Sequence, residues 1–184
     1  PKNKVRIICP PMGGGFGARG DFYAASIASL LTYKTNKPVR IVYSREESLI
    51  SSCKAPQYYM KYKTGATKDG KLVAMEAEFL LSGGSWAPYM NPDMMMFGRL
   101  PMSPVHHSTG PYHIPNVHVT AREVATNHPR ATPLRGTVGS PVAFASESQM
   151  DKLAIKLNMD PIEFRLKNVL DIGSETHYGQ IMEE

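Results

Sequence analysis

The 184-residue sequence has few cysteines and no long apolar run. Cys9 and Cys53 are too few and too far apart for a disulfide scaffold, and neither has the C-x-x-C spacing of a zinc or redox site. Without an apolar run of about 18 residues, the sequence predicts no membrane span. The start at Pro1, with no signal segment after it, is expected for a piece of a longer protein. Together these absences predict a reducing, cytoplasmic location.

Concentrated basic charge and metal-ligand spacings are also missing. The 21 Lys and Arg outnumber the 16 Asp and Glu, but they are scattered singly and form no stripe. This pattern favours a solvated surface, or a face for an anionic ligand, over nucleic-acid binding. The six histidines lack H-x-H and helical i, i+4 spacing, and no G-x-S-x-G elbow occurs. Neither a protein-ligated metal nor nucleophilic catalysis is therefore supported.

A glycine-rich turn follows the first apolar segment. Residues 5–9, "VRIIC", are apolar and β-branched and predict a buried strand. Residues 18–34 have small and apolar side chains at helical spacing, and "NKPVRIVYS" at 36–44 predicts another strand. This order predicts a βαβ unit.

The next part of the sequence predicts strands. Residues 57–84 alternate on both sides of a D-G turn, which is a strong hairpin signal. Residues 116–126 alternate again, and long irregular loops are expected at 83–112 and 127–141.

Two helices are predicted at the C-terminal end. The first begins at Ser140 and Pro141 and runs to Leu157; the second begins with the capping set Asp160, Pro161 and Glu163. Glu147 falls on the apolar face of the first helix, where a carboxylate needs a backbone N–H or a cation, so a structural role is favoured. The predicted fold is α+β: a mixed sheet with a βαβ unit, then an antiparallel hairpin and two C-terminal helices, forming a single domain over residues 1–184.

The glycine motif "MGGGFGARG" at 12–20 is the strongest candidate site. It lacks the G-x-G-x-x-G register of a dinucleotide-binding turn and the Gly-Lys-Ser/Thr of a P-loop. Backbone N–H groups at a strand-to-helix turn can nevertheless cradle an anion or an oxo group. From the residues alone, such a cradle and a purely structural tight turn both remain possible.

Four motifs together resemble a known family. "MGGGFGARG", "GPYHIPNVHV", "TNHPRATPLRG" and "ESQMDKLAIKLNMDPIEFRLKN" occur in the order and approximate spacing of the molybdopterin-binding large subunit of the xanthine dehydrogenase and aldehyde oxidase family. The resemblance covers almost the whole chain, which corresponds to only part of that subunit. It implies a molybdenum cofactor-binding domain within a larger protein.

The resemblance also implies which residues contact the cofactor. They are Gly14, Gly15, Phe16 and Gly17 of the first motif, and Arg135 and Gly136 of the third. Phe16 and Arg135 are expected to lie nearest the molybdenum. Their main-chain donors and fixed cation suit the cofactor's oxo and phosphate groups.

Two positions differ from the pattern of xanthine-oxidising relatives. Gly20 replaces a glutamate, and Thr137 replaces the aromatic residue that stacks on a purine. Both are expected to line the substrate pocket. The resemblance therefore implies an aldehyde or a differently held N-heteroaromatic substrate at least as much as a purine.

The implied activity is that of an oxidoreductase that hydroxylates its small-molecule substrate with oxygen derived from water. Iron–sulfur clusters and FAD are expected on other domains or subunits, and the remainder of the molybdenum subunit is an expected partner; the cofactor could be a dinucleotide form. The family's catalytic glutamate and metal-contacting glutamine have no counterpart in this sequence, so no catalytic residue is assigned and the chain alone is expected to be inactive. The alternative is a non-enzymatic or nucleotide-binding α+β module whose glycine turn is structural.

Overall fold

A three-stranded mixed sheet forms the centre of the fold. The computed structural model describes residues 4–17, 23–85, 102–132, 135–136 and 139–183. The strands are β1 (Tyr58–Ala66), β2 (Leu72–Gly84) and β3 (Asn116–Ala125), in the order β1-β2-β3. β1 is antiparallel to β2, and β3 is parallel to it. The described helices are α1 (Tyr23–Thr35), α2 (Arg45–Ser51), α3 (Met102–His107), α4 (Gly139–Leu157) and α5 (Pro161–Asn168).

The predicted hairpin is confirmed as β1 and β2. Its turn is closed by hydrogen bonds from the Thr67 N–H to the Lys71 carbonyl (2.8 Å) and from the Gly70 N–H to the Thr67 carbonyl (3.0 Å). Gly70 has φ +87°, a left-handed conformation that a glycine adopts without strain. The D-G pair therefore lies in the turn between β1 and β2, as the alternating pattern predicted.

One face of the sheet packs against the C-terminal helices. On β2, Met75, Ala77, Phe79 and Leu81 alternate with exposed residues, as expected for a strand with one buried face. The helices contribute further fully buried side chains, which are Val142, Met150 and Ala154 of α4 and Phe164 of α5. The predicted α+β class, mixed sheet and two C-terminal helices are confirmed.

Local capping explains where α2 and α5 begin. Asp160 accepts hydrogen bonds from the N–H groups of Ile162 and Glu163, as its N-cap position predicted. Ser44 and Glu47 form a capping box that starts α2, a helix that was not predicted from the sequence. α4 begins at Gly139, one residue before the predicted N-cap Ser140.

The Glu147 carboxylate is paired with a cation, as its position on the apolar face of the helix predicted. The Nε of Arg165, on α5, donates to this carboxylate at 2.8 Å, and the Tyr112 hydroxyl donates to both carboxylate oxygens at 2.9 and 3.0 Å. Arg165 also binds Asp151 at 2.8 Å. Burial and the hydrogen bonds with Glu147 raise the pKa of Tyr112 to about 12. The network ties α4, α5 and the segment before β3 together.

The two strands predicted for the βαβ unit are absent from the described structure, so this part of the prediction is wrong. Residues 5–9 and 36–44 form no strand in the described structure, and Val5, Ile7 and Ile8 are 60%, 58% and 73% exposed. The reason is that a strand needs a hydrogen-bonding neighbour, and no strand of the described residues lies beside either segment. Only the helix of the unit forms, as α1.

The parallel pair of the sheet comes instead from β2 and β3. The chain between them includes α3, which lies inside a region predicted to be an irregular loop. The methionines at 94–96 of that region lie outside the described residues. No helix in the described ranges is both long and apolar enough to cross a membrane.

Candidate functional site

The glycine turn has an unusual backbone. Gly14 and Gly17 have φ +132° and +105°, and Phe16 between them has φ +51°. Positive φ is readily adopted by glycine and uncommon for a large side chain. Phe16 is also 60% exposed. The turn therefore holds an exposed aromatic residue in a conformation that is uncommon for large side chains.

The Phe16 ring lies directly on the backbone of Gly14. A Cβ added to Gly14 would come within 2.5 Å of the ring Cε2 and 2.9 Å of Cζ. A Cβ added to the neighbouring Gly13 would meet no atom within 4 Å. Gly14 is thus required by its φ and by the ring that covers it, whereas the space around Gly13 is open.

Arg135 meets this turn from far along the sequence. Its backbone N–H donates a 2.9 Å hydrogen bond to the Phe16 carbonyl. The guanidinium carbon lies 5.8 Å from the centroid of the Phe16 ring, within the range of a cation–π interaction. Gly136 follows with φ +76°, so the Arg135–Gly136 pair forms a second turn beside the first. The structure therefore brings together the two motifs that the sequence predicted to share a site.

The first turn of the site also presents backbone N–H groups. Among the described residues, no backbone carbonyl accepts a hydrogen bond from the backbone N–H groups of residues 13–17. Gly15 and Gly17 are half-buried, whereas Gly13, Gly14 and Phe16 are exposed. Amide donors beside a guanidinium are suited to phosphate and oxo oxygens. The residues present fit a group with several anionic oxygens, such as a molybdopterin cofactor.

A match to a known family names such a cofactor for the domain. Residues 1–169 match the molybdopterin cofactor-binding domain family. The chain belongs to this family. The resemblance inferred from the four motifs is therefore confirmed, and both turns of the site lie within the matched residues.

The molybdopterin cofactor-binding domain also has clear relatives among whole proteins. The nicotinate dehydrogenase large molybdopterin subunit of Eubacterium barkeri is 41% identical over 183 residues, covering 100% of this chain and 41% of that protein. The aldehyde oxidoreductase of Megalodesulfovibrio gigas is 32% identical over 97% of this chain and 19% of its own length. The domain thus spans less than half the length of these relatives.

Solved structures show the same fold. The aldehyde oxidoreductase from Desulfovibrio gigas matches with a TM-score of 0.83 and 33% identity, over 92% of this chain and 18% of that one. Quinoline 2-oxidoreductase from Pseudomonas putida 86 matches with a TM-score of 0.82 and 26% identity, over 95% and 22% of the two chains. These relatives are named for chemically different substrates and share this domain.

The structure places six of the eight predicted site residues. Gly14, Gly15, Phe16 and Gly17 form one turn, and Arg135 and Gly136 form the other. Gly20 and Thr137, the predicted substrate-pocket positions, lie outside the described residues, so their role stays a prediction. In the described part of the chain, no three His, Cys, Asp or Glu side chains come together as a metal site.

A support for the second turn was not predicted from the sequence. The N–H of Gly139, the first residue of α4, donates to the Gly136 carbonyl at 2.9 Å. On its other side, Gly139 lies against the imidazole of His107, which is 3.3 Å from the position of an added Cβ. α3 and α4 therefore border the Arg135 turn. The only sequence signal for this contact was a glycine at the start of a predicted helix.

Proposed function

We propose that this domain forms part of the cofactor site of a molybdenum hydroxylase, an oxidoreductase that hydroxylates an aldehyde or an N-heteroaromatic compound with oxygen from water. The observation that carries the proposal is the contact between Phe16 of the glycine turn and Arg135. The substrate classes follow those in the names of the relatives, namely nicotinate, aldehyde and quinoline.

Each part of the site has a role in this proposal. The amides of Gly15 and Gly17 donate hydrogen bonds to anionic oxygens of the cofactor, and the Arg135 guanidinium balances their charge. The bound molybdenum cofactor supplies the redox chemistry. The chain's residues bind and orient it, while the acid–base groups, the iron–sulfur clusters and the flavin belong to the rest of a cytoplasmic protein.

The proposal is tested by replacing Arg135 with alanine in the full-length parent subunit. We expect turnover of an aldehyde and of nicotinate to fall about 100-fold, the usual cost of losing a preorganised charge or donor at a reacting centre. Arg122→Ala is the matched control, because Arg122 is an exposed arginine on β3. Molybdenum content, measured on both variants by metal analysis, separates lost cofactor from lost turnover.

Two results would contradict the proposal. Wild-type parent subunit without molybdenum would favour a non-enzymatic or nucleotide-binding module, and equal turnover in Arg135→Ala and wild type would remove Arg135 from the site. The 184-residue chain, purified in parallel, should hold less than stoichiometric molybdenum and show no turnover, because it spans less than half the length of its relatives and so supplies only part of the site.

A further inference from the structure

We infer that Phe16 is a positioning residue whose ring, seated on Gly14, holds the Arg135 guanidinium beside the glycine turn. The inference rests on the proposed function, because it explains how the cation of the proposed cofactor site is held. It assigns the Phe16 side chain a task that is separate from the contacts of its main chain.

Steric fit fixes the ring on one side. Its edge lies so close to Gly14 that even a methyl group there would overlap Cε2 and Cζ. The other contact is the guanidinium of Arg135, 5.8 Å from the ring centroid. The Phe16 ring thus contacts Gly14 along its edge and has the Arg135 guanidinium near its face.

The backbone orients the two side chains toward each other. The hydrogen bond from the Arg135 N–H to the Phe16 carbonyl fixes the register of the two turns. Phe16 accepts an unfavourable positive φ and keeps 60% of its surface exposed, so burial in a core does not explain its position. Contact with Arg135 explains the position of the Phe16 ring.

The type of contact leaves the charge of Arg135 available. Both ion pairs found among the described residues belong to Arg165, and Arg135 contacts no carboxylate there. A carboxylate would neutralise the guanidinium, whereas an aromatic face attracts a cation without cancelling its charge. A phenylalanine platform therefore orders the arginine and still lets it bind an anion.

The contact between Phe16 and Arg135 can be detected without measuring activity. In cofactor-free, full-length subunit labelled with ¹⁵N-arginine, the Arg135 Nε–Hε signal, assigned with Arg135→Lys, should be shifted upfield by the Phe16 ring current. Phe16→Leu and Gly14→Ala should move it downfield toward its free position, and Phe16→Tyr should retain the shift. Gly13→Ala is the matched control and should leave the signal unchanged, because nothing lies within 4 Å of its Cβ.

Cofactor loading gives the second readout. We expect Phe16→Leu to reduce the molybdenum bound per subunit at least threefold, and Phe16→Tyr to restore it. In an Arg135→Ala background, Phe16→Leu should have no further effect, since it acts through the arginine. A thermal midpoint equal to that of the wild type confirms folding of each variant.

The inference is overturned if Phe16→Leu leaves the Arg135 signal in place, or if it lowers molybdenum content equally with and without Arg135. Failure of the proposed function looks different: wild-type subunit would lack molybdenum even though the Arg135 signal still responds to Phe16→Leu. The two hypotheses are therefore tested by separate observations.

Discussion

The chain contains two regions that differ in how they bury apolar side chains. In the sheet and the C-terminal helices, the core residues are 0–4% exposed. In α1 and α2 no residue is buried, although α1 carries Ile27, Leu30 and Leu31. The sheet, α4 and α5 therefore form a hydrophobic core, whereas α1 and α2 form none with the described residues. The candidate site draws on both regions, since the glycine turn precedes α1 and the Arg135 turn precedes α4.

The largest difference is expected from paired large-to-small substitutions in the two regions. Phe164→Ala removes a fully buried ring from α5 and should lower the free energy of unfolding by about 3–5 kcal/mol. Leu31→Ala on α1 removes a side chain that is 43% exposed and should cost less than about 1 kcal/mol. Urea unfolding of the chain measures both. Similar losses for the two variants would mean that α1 belongs to the same core.

An intermediate effect is expected for the network between α4 and α5. Arg165→Met removes the cation from Glu147 and Asp151, leaving the Glu147 carboxylate with only the Tyr112 hydroxyl. Because the Arg165 and Glu147 side chains are 26% and 38% exposed, the cost should be about 1–2 kcal/mol, below that of a fully buried pair. Arg122→Met is the control in the same unfolding experiment. Equal stability of the two variants would show that the network contributes nothing measurable to folding.

The smallest effect concerns pH and Glu123. Burial raises the pKa of this carboxyl above its ordinary value. Between the ordinary and the raised pKa, the folded state binds more protons than the unfolded state, so stability falls as pH rises through this window. Glu123→Gln should therefore stabilise the chain at pH 7, by less than about 1 kcal/mol after allowance for partial exposure, and be neutral near pH 3.

Urea unfolding at both pH values, with the exposed Glu183→Gln as control, measures this difference. The region is one in which polar groups are incompletely paired, since the hydroxyl of Tyr58, which senses the charge of Glu123, is shielded from solvent and lacks a partner among the described residues. If Glu123→Gln is less stable than the wild type at pH 7, burial of the Glu123 carboxylate does not destabilise the folded state and the prediction is wrong.

The same contrast explains which parts of the fold could be predicted. The hairpin, β3 and α5 were predictable because alternation, the D-G turn and the Asp160 cap are local signals that agree with their tertiary packing. Residues 5–9 and 36–44 also have the apolar, β-branched composition of strands, but they pair with no strand of the described residues, and propensity alone does not make a sheet. α3 was missed because six residues give too short a period to recognise.

The sequence predicted the residues of the candidate site, which stay a prediction, but not their geometry. The motifs named the glycine turn and the Arg135–Gly136 pair, and the structure brings them together. Nothing in the sequence indicated that the Phe16 ring is seated on Gly14, since this contact depends on backbone angles that a run of glycines permits without specifying. The border formed by His107 and Gly139 depends in the same way on tertiary packing.

The hairpin turn has a consequence for the order in which this chain can fold during synthesis. The buried Asn168 amide donates to the Gly70 carbonyl and accepts from the Leu72 N–H, and it lies 98 and 96 residues after these groups. At ribosomal rates of about 5–20 residues per second, the turn waits roughly 5–20 s for this partner. The nascent hairpin thus exposes an apolar face until α5 has been made.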